Sequence, residues 1–235
     1  MCESPPNRIK NRLLSALPNS EYERLLPYLE TVSLTLKQII YAPNEPIEYI
    51  YFPNSGIISL VNLTQDGATV EAATVGNEGM AGIPVLLGAD QMIGQAITQI
   101  VGDAVRMKAD VFKREVTPAS PLYNLLLRYT QALMNLISQS VACNRLHSVE
   151  QRCSRWLLLC QDRVESEEFR LTQEFLSQML GVRRASVSVV AAILQKAGLI
   201  RYSRGKITIC DRPGLEATSC ECYRVVKEEF DRLLS

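Results

Sequence analysis

Five residues between positions 184 and 189 have side chains that could read DNA bases: Arg184, Ala185, Ser186, Ser188 and Val189. A guanidinium group carries paired donors that match the O6 and N7 acceptors of guanine in the major groove, which makes Arg184 the best candidate for a base contact. The two serine hydroxyls can donate to bases or phosphates, and the alanine and valine side chains can contact thymine methyl groups. The pattern therefore predicts a helix that discriminates between DNA sequences.

The segment from Leu171 to Leu199 is predicted to form two short helices joined at Gly181. Thr172 can cap the first helix, and Gly181 and Gly198 suit the left-handed residue that commonly ends a helix. Apolar residues recur at intervals of three and four, which predicts one buried face on each helix. These residues are Phe175, Leu176, Met179 and Leu180 in the first helix and Val187, Val190, Ala191 and Leu194 in the second. Such a helix-turn-helix places the N-terminal residues of its second helix in the major groove.

A basic β-hairpin is predicted directly after these helices, from Ile200 to Ile209. Between residues 171 and 209 there are six lysine or arginine residues against one glutamate, whereas the whole chain has a formal net charge of zero. A local excess of cations favours binding to the phosphate backbone of double-stranded DNA. The candidate phosphate contacts are Arg183, Arg201, Arg204 and Lys206, with Thr172 and Gln173 as further DNA-binding candidates.

Length and composition indicate a folded protein of one or two domains. The 235 residues are 47% hydrophobic, and no apolar run approaches the roughly 18 residues needed to span a bilayer. The first residues lack the basic and apolar regions of a signal peptide. We therefore expect a cytoplasmic protein without a membrane partner.

The cysteine and histidine content predicts no metal site and no cofactor. Seven cysteines are scattered along the chain, no Cys-x-x-Cys motif occurs, and His147 is the single histidine. Cys153 and Cys160 are expected to pack as small apolar side chains, while Cys220 and Cys222 stay open as a redox or metal pair. His147 is interpreted as a hinge or interface residue. Because no nucleophile stands beside a placed base, no catalytic residue is assigned and no enzyme is expected.

The remaining chain alternates between helical and β-like patterns. Residues 13–30 have a helical pattern with a break at Pro18, and further helices are predicted at about 149–163 and 223–234. Short β-like runs separated by turn residues extend from residue 32 to about 107, which favours a small sandwich or barrel. The predicted strands are Leu34–Tyr41, Ile47–Phe52, Gly56–Leu63, Thr69–Val75 and Gln95–Val101.

A long helix is predicted from about Ser120 to about Asn144. Seven of its residues alternate at intervals of four and three, the heptad spacing of a helix that packs against a partner helix. They are Leu122, Leu126, Tyr129, Leu133, Leu136, Ser140 and Cys143. This seam could pack inside one domain, but a second stripe through Leu125, Ala132 and Ile137 could serve that purpose. We therefore predict that the seven seam residues form a homodimer interface.

The order of these parts resembles the Crp/Fnr family of bacterial transcription regulators. The resemblance covers nearly the whole chain and is most specific in residues 172–187 and in 198–200 with the hairpin that follows. It implies an α+β fold with a cyclic-nucleotide-binding-like β-roll (jelly-roll; residues 1–118), a dimerisation helix (119–147) and a winged helix-turn-helix domain (148–235). It also implies a homodimer that binds a two-fold symmetric operator, with a small-molecule effector and RNA polymerase as further partners.

The expected effector pocket departs from the cyclic-AMP-binding members of that family. Those members carry a glutamate for the ribose and an arginine and a serine for the cyclic phosphate. Here Gly94 and Gln95 occupy the arginine and serine positions, and Glu78 falls several residues early. Because an enclosed phosphate without a cation is poorly compensated, we do not expect gating by cyclic AMP. These three residues remain the candidate pocket for an unidentified effector. The N-terminal cysteine cluster of oxygen-sensing members is absent, since Cys2 stands alone there.

The recognition helix departs from the family pattern as well. Ala185 and Val189 stand where members that bind the best-known operator have an acidic residue and a second arginine. We therefore expect an operator of different sequence. Two alternatives stay open: a metabolite- or nucleotide-gated sensor of the same fold, and a regulatory or interaction protein that uses a winged helix without DNA.

Overall fold

The computed structural model describes residues 9–65, 67–164 and 166–234, so Cys2 lies outside the described residues. Two short helices, α1 (Arg12–Ser15) and α2 (Asn19–Leu25), precede the first strand. The side chain of Asn11 caps α1 by accepting a hydrogen bond from the Leu14 N–H, and Pro18 separates the two helices as predicted. Leu13, Leu14 and Leu25 anchor this segment in the core.

Seven strands are present in the described N-terminal half of the chain. They are β1 (Glu30–Leu34), β2 (Ile39–Tyr41), β3 (Tyr49–Pro53), β4 (Ile57–Leu63), β5 (Thr69–Val75), β6 (Gln95–Ile100) and β7 (Gly102–Lys108). One antiparallel sheet has the order β1-β7-β3 and the other β2-β6-β4-β5. Two short helices, α3 (Ile83–Leu86) and α4 (Ala109–Glu115), accompany the sheets. Apolar side chains from both sheets enter one buried cluster, which gives the predicted sandwich.

One strand prediction was wrong. The predicted strand Leu34–Tyr41 is interrupted at Lys37, whose φ of 62° turns the chain, so that β1 and β2 belong to different sheets. The strand β6 ends at Ile100 and β7 begins at Gly102, so only Val101 separates them. The glycine serves close approach rather than a turn, because a Cβ there would lie 2.4 Å from the Ser55 carbonyl oxygen.

A long helix, α5 (Pro121–Leu146), follows the sheets and leads into α6 (Val149–Val164). The Ser120 side chain accepts a hydrogen bond from the Tyr123 N–H, and Pro121 occupies the first turn, where no N–H is needed. His147 has extended backbone angles (φ −106°, ψ 151°) and separates the two helices. In the part of the chain that the structure describes, no helix has the length and apolar character needed to cross a membrane.

The remaining elements form the C-terminal part of the chain. They are β8 (Glu168–Arg170), α7 (Gln173–Leu180), α8 (Arg184–Lys196), β9 (Ile200–Ser203), β10 (Lys206–Ile209), α9 (Arg212–Thr218) and α10 (Cys222–Leu234). The small sheet has the order β8-β10-β9. The helix α9 was not predicted, because Pro213 and Gly214 lie inside it. The α+β fold class is confirmed, with a β-sheet domain, a long helix and a helix-turn-helix in that order.

The predicted dimer seam on α5 lies inside the protomer, which corrects the sequence interpretation. All seven residues are at most 8% exposed within the single chain, and the Tyr129 ring packs against Phe230 of α10 at 6.4 Å between centroids. The buried residues are Leu122, Leu126, Tyr129, Leu133, Leu136, Ser140 and Cys143. A different apolar stripe stays exposed on α5: Leu127 (44%), Met134 (60%) and Val141 (68%) are spaced by seven residues.

The C-terminal part packs directly on the second sheet. The helix α7 contacts β5, and α6 contributes two polar links to the same region. Trp156 Nε1 donates to Glu71 Oε1 at 2.8 Å, and Arg163 Nε donates to Glu78 Oε1 at 2.8 Å. The elements that carry the candidate DNA-binding residues are therefore held against the β-domain by a buried ion pair and a hydrogen bond.

Candidate nucleic-acid interface

The helix-turn-helix begins at Thr172, whose hydroxyl accepts a hydrogen bond from the Phe175 N–H at 3.2 Å and caps α7. Gly181 ends α7 with a φ of 60°, a left-handed conformation that glycine adopts without steric cost. Its N–H donates to the Gln178 carbonyl and the Val182 N–H donates to the Ser177 carbonyl. Arg183 is the N-cap residue of α8, so the predicted joint between the two helices is confirmed.

The buried faces of both helices agree with the prediction. Val187, Val190, Ala191 and Leu194 are the buried residues of α8. The opposite face of α8 is exposed and includes Arg184, Ala185 and Val189. Arg183 at the N-cap is also exposed, and Ser186 is partly exposed. Val189 is 60% exposed on this face. The first two turns of α8 therefore present two guanidinium groups and two small apolar side chains on one surface.

The Ser188 hydroxyl is engaged inside the motif. Ser188 Oγ donates to Gln173 Oε1 at 2.7 Å, and both side chains are partly buried. This hydrogen bond connects the second turn of α8 to the first residue of α7. Two side chains that the sequence assigned to DNA contact thus also fix the two helices relative to each other.

The basic hairpin is held tightly beside the helix-turn-helix. At its tip, Arg204 (φ 50°) and Gly205 (φ 73°) are both left-handed, as in the two-residue turns that suit twisted hairpins. The Leu171 N–H donates to the Gly205 carbonyl at 2.8 Å, and the Tyr202 hydroxyl donates to the Leu171 carbonyl at 2.9 Å. The turn therefore places Arg204 at an exposed tip.

The other hairpin cations, Arg201 and Lys206, lie on the strands of the small sheet. Arg201, Arg204 and Lys206 are exposed. Lys206 forms an ion pair with Glu168, and this hydrogen bond lowers the pKa of the Glu168 carboxyl. Arg170, which the sequence analysis missed, is exposed on β8 directly opposite Lys206. It lies one residue before Leu171, where the predicted helix-turn-helix begins. It joins the basic surface only because β8 pairs with β10.

The candidate effector residues Glu78, Gly94 and Gln95 have different neighbours. The Glu78 carboxylate is buried and paired with Arg163 of α6. Gly94 lies against β4, where a Cβ atom would come within 2.5 Å of the Val61 carbonyl oxygen. Gln95 is partly exposed at the start of β6. Arg163 binds Glu78 through Oε1, while Glu78 Oε2 is buried without a hydrogen-bond partner among the described residues.

A cluster that the sequence analysis missed contains Cys143, His147, Cys220 and Cys222. One ligand atom from each residue lies within 4.8 Å of the others, which corrects the expectation that the chain has no candidate metal site. The spacing of Cys143 and His147, four residues apart, together with Cys220-Glu-Cys222 was the available signal. It was not decisive, because the two pairs lie far apart in the chain and meet only when α10 packs beside α5.

Comparison with known proteins identifies two domains. Residues 31–117 match the family model of the cyclic nucleotide-binding domain, and residues 151–218 match that of the Crp-like helix-turn-helix domain. Together the two matches cover about two thirds of the chain. A search of curated protein sequences returns no match.

Several solved structures have a similar fold. A transcriptional regulator of the CRP family from Thermus thermophilus is 21% identical, with a TM-score of 0.68 over 80% of this chain and 96% of that one. FixK2 from Bradyrhizobium japonicum is 16% identical, with a TM-score of 0.66 over 82% and 98%. The c-di-GMP-responsive global regulator CLP from Xanthomonas campestris is 15% identical, with a TM-score of 0.66 over 83% and 100%. At these identities, the likeness establishes the fold.

Proposed function

This chain belongs to the Crp/Fnr family of DNA-binding transcription regulators, and we propose that it acts as a homodimer that reads a two-fold symmetric operator without gating by cyclic AMP. In this proposal residues 1–118 are an effector-like domain, 119–147 a dimerisation helix and 148–235 the DNA-binding domain. The protein acts in the cytoplasm by binding rather than by catalysis, with RNA polymerase as a further partner.

The exposed first two turns of α8 carry the proposal. Arg184 is exposed at the start of a helix whose opposite face is buried, which suits entry of that end into the major groove. The hairpin cations Arg201 and Arg204 lie on the sheet that flanks this helix, where they can contact phosphates on either side of the groove. In this arrangement Arg184 reads a guanine, and Ala185 and Val189 set the flanking preference.

The exposed stripe on α5 supports homodimerisation. Leu127, Met134 and Val141 follow one line of the helix, with the partly buried Tyr123 and Ile137 beside it. Their spacings of four, seven, three and four residues fit the heptad pattern of a coiled-coil seam. A second copy of α5 packed along this line covers the three exposed side chains and pairs two recognition helices about a two-fold axis, as a palindromic operator requires.

Two observations support the absence of cyclic-AMP gating. A side chain at position 94 would overlap with the Val61 carbonyl, so the strand has no space for the phosphate-binding arginine of cyclic-AMP-binding members. Glu78 is committed to Arg163. A phosphate enclosed by this sheet would therefore lack the cation that compensates its desolvation.

Site selection from a random duplex pool, followed by binding measurements at several salt concentrations, tests the proposal. We expect a palindromic consensus with half-sites about one helical turn apart. Arg184→Ala should relax the preference at one position per half-site by about 1–3 kcal/mol. Its matched control, Arg204→Ala, should weaken binding to all sequences and lower the salt slope by about one.

Each alternative has a distinct outcome in the same experiments. Failure to bind any duplex at low salt would favour an interaction protein that uses the winged helix without DNA. Recovery of the usual family operator unchanged would contradict the roles of Ala185 and Val189. Calorimetric binding of cyclic AMP, with a matching rise in operator affinity, would favour a nucleotide-gated sensor.

A further inference from the structure

Four side chains from two distant parts of the sequence converge where α5 ends. Cys143 lies in the last turn of α5 and His147 follows that helix, whereas Cys220 and Cys222 flank the start of α10. Cys143 Sγ lies 3.5 Å from Cys220 Sγ, and Cys222 Sγ lies 3.5 Å from His147 Nδ1. The three thiols are at most 4% exposed and form a cluster separate from the main hydrophobic core. Their convergence on an imidazole nitrogen distinguishes them from thiols that only fill space.

Three thiolates and one imidazole are a donor set of structural zinc sites. With Zn–S bonds of about 2.3 Å and Zn–N bonds of about 2.0–2.1 Å, a tetrahedral ion places neighbouring ligand atoms about 3.5–3.8 Å apart. The two observed separations of 3.5 Å have that size. Because all four ligand atoms lie within 4.8 Å of one another, their centre accommodates one ion rather than a polynuclear iron–sulfur cluster.

The groups around the ligands have the arrangement expected of a metal centre. His147 Nε2 lies 3.3 Å from Glu221 Oε1, so the carboxylate can fix the ring with Nδ1 directed toward the thiols. Metal-binding histidines commonly donate their second N–H to a carboxylate in this way. Gln139 Nε2 donates to Cys222 Sγ at 3.1 Å, which orients that sulfur and stabilises negative charge on it.

Two buried arginines near the cluster carry positive charge, opposite in sign to that of thiolates. Arg152 and Arg155 are 8% and 7% exposed, and within the described residues neither forms an ion pair with a carboxylate. Among the described residues, Arg155 Nε also has no hydrogen-bond partner. Both arginines lie near enough to Cys143 to act on it electrostatically. A centre with one divalent cation and three thiolates has a net charge of −1, which offsets part of the positive charge of these two guanidinium groups.

We propose that Cys143, His147, Cys220 and Cys222 bind one zinc ion, which fastens the start of α10 to the turn between α5 and α6. Binding deprotonates three thiols and leaves the imidazole neutral, so each ion bound releases three protons from three neutral thiols. No electron transfer is involved. The site links the helix that carries the exposed stripe to the last helix of the chain, and it stands independently of DNA binding.

Metal analysis of the full-length protein, purified without chelators, tests the stoichiometry. We expect about one zinc per chain in the wild type and in the matched control Cys210→Ser, because Cys210 is an exposed thiol outside the cluster. Cys222→Ser should retain at least tenfold less zinc. Wild-type protein without zinc that also fails to take up added zinc would overturn the proposal. Iron with acid-labile sulfide, or a Cys143–Cys220 disulfide that persists in protein purified with a reductant, would overturn it too.

Cobalt substitution keeps the test independent of whether a variant folds. Wild-type protein in which cobalt replaces zinc should show the intense visible bands of a tetrahedral ion and near-ultraviolet thiolate-to-cobalt charge transfer. Glu221→Gln, which keeps all four ligands, should weaken cobalt affinity by about tenfold, since it removes the carboxylate behind His147. Weak octahedral cobalt bands without charge transfer would overturn the assignment. An unchanged cobalt affinity in Glu221→Gln would overturn the claim that Glu221 holds the His147 ring with Nδ1 directed toward the metal.

Discussion

Trp156 of α6 donates its indole N–H to the carboxylate of Glu71 on β5, with 2.8 Å between Nε1 and Oε1. The second carboxylate oxygen accepts from the Ser59 hydroxyl at 2.8 Å. Burial raises the pKa of Glu71 to about 7, and these two hydrogen bonds oppose the rise without cancelling it. A titratable group with a pKa near neutrality therefore lies in the contact between the β-domain and the C-terminal part of the chain.

Glu71→Gln is expected to change how stability depends on pH. The wild-type carboxyl binds a proton more tightly in the folded state than in the unfolded state, where the pKa is about 4.5. The free energy of unfolding therefore falls as pH rises from 4.5 to 7. Glutamine removes the charge; its carbonyl oxygen can still accept from Trp156, while its amide NH2 must donate to the Ser59 oxygen instead of accepting from it. The variant should therefore gain on the order of 2 kcal/mol relative to wild type as pH rises from 5 to 8. Urea unfolding across this range measures the gain, and Glu23→Gln controls for the loss of one exposed carboxylate.

The buried pair of Arg163 and Glu78 should be strongly coupled. Their side chains are 6% and 7% exposed, and the Arg163 Nη1 also donates to the Leu159 carbonyl. Arg163→Met leaves an uncompensated carboxylate in the interior and should cost about 3–5 kcal/mol of unfolding free energy. A double-mutant cycle with Glu78→Gln should give a coupling energy above about 1 kcal/mol. The exposed pair of Arg224 and Glu228 provides the control, for which a few tenths are expected. Additive effects in the buried pair would contradict this role.

Ser188→Ala should affect the fold of the motif more than its base preference. The hydroxyl donates to Gln173 Oε1 and connects α8 to α7. Its removal should lower the unfolding free energy by about 1 kcal/mol, while the consensus from site selection stays the same. The matched variant Ser186→Ala removes a partly exposed hydroxyl on the DNA-facing turn and should weaken operator binding instead. A changed consensus in Ser188→Ala would show that its hydroxyl also contacts a base.

The sequence predicts most reliably what depends on local spacing. The buried faces of α7 and α8, the glycine at position 181 and the hairpin follow from intervals of three and four residues and from turn chemistry, and the structure confirms them. Sequence could not show whether the predicted seam or the stripe of Leu127, Met134 and Val141 faces the interior of the protomer, because both have heptad spacing. That choice depends on α10, which returns from the end of the chain to cover Tyr129. The cluster at Cys143 depends on the same long-range packing.

The two stripes of α5 predict opposite outcomes for neighbouring substitutions. Met134 is 60% exposed on the stripe proposed as the dimer seam, whereas Leu133 is 5% exposed inside the protomer. Met134→Glu places two like charges at the seam and removes apolar contact, so the dimer dissociation constant should rise on the order of 100-fold without loss of the fold. Leu133→Ala should instead cost about 2–5 kcal/mol of unfolding free energy through the cavity it leaves.

Analytical ultracentrifugation and urea unfolding of the same preparations distinguish these effects. Asn124→Glu, on the same helix but outside the Leu127–Met134–Val141 stripe, controls for an added charge and should leave the dimer intact. Because paired half-sites need both recognition helices, Met134→Glu should also bind a palindromic operator no more tightly than a single half-site. A dimer that survives Met134→Glu but dissociates in Leu133→Ala would return the interface to the seam first predicted from the sequence.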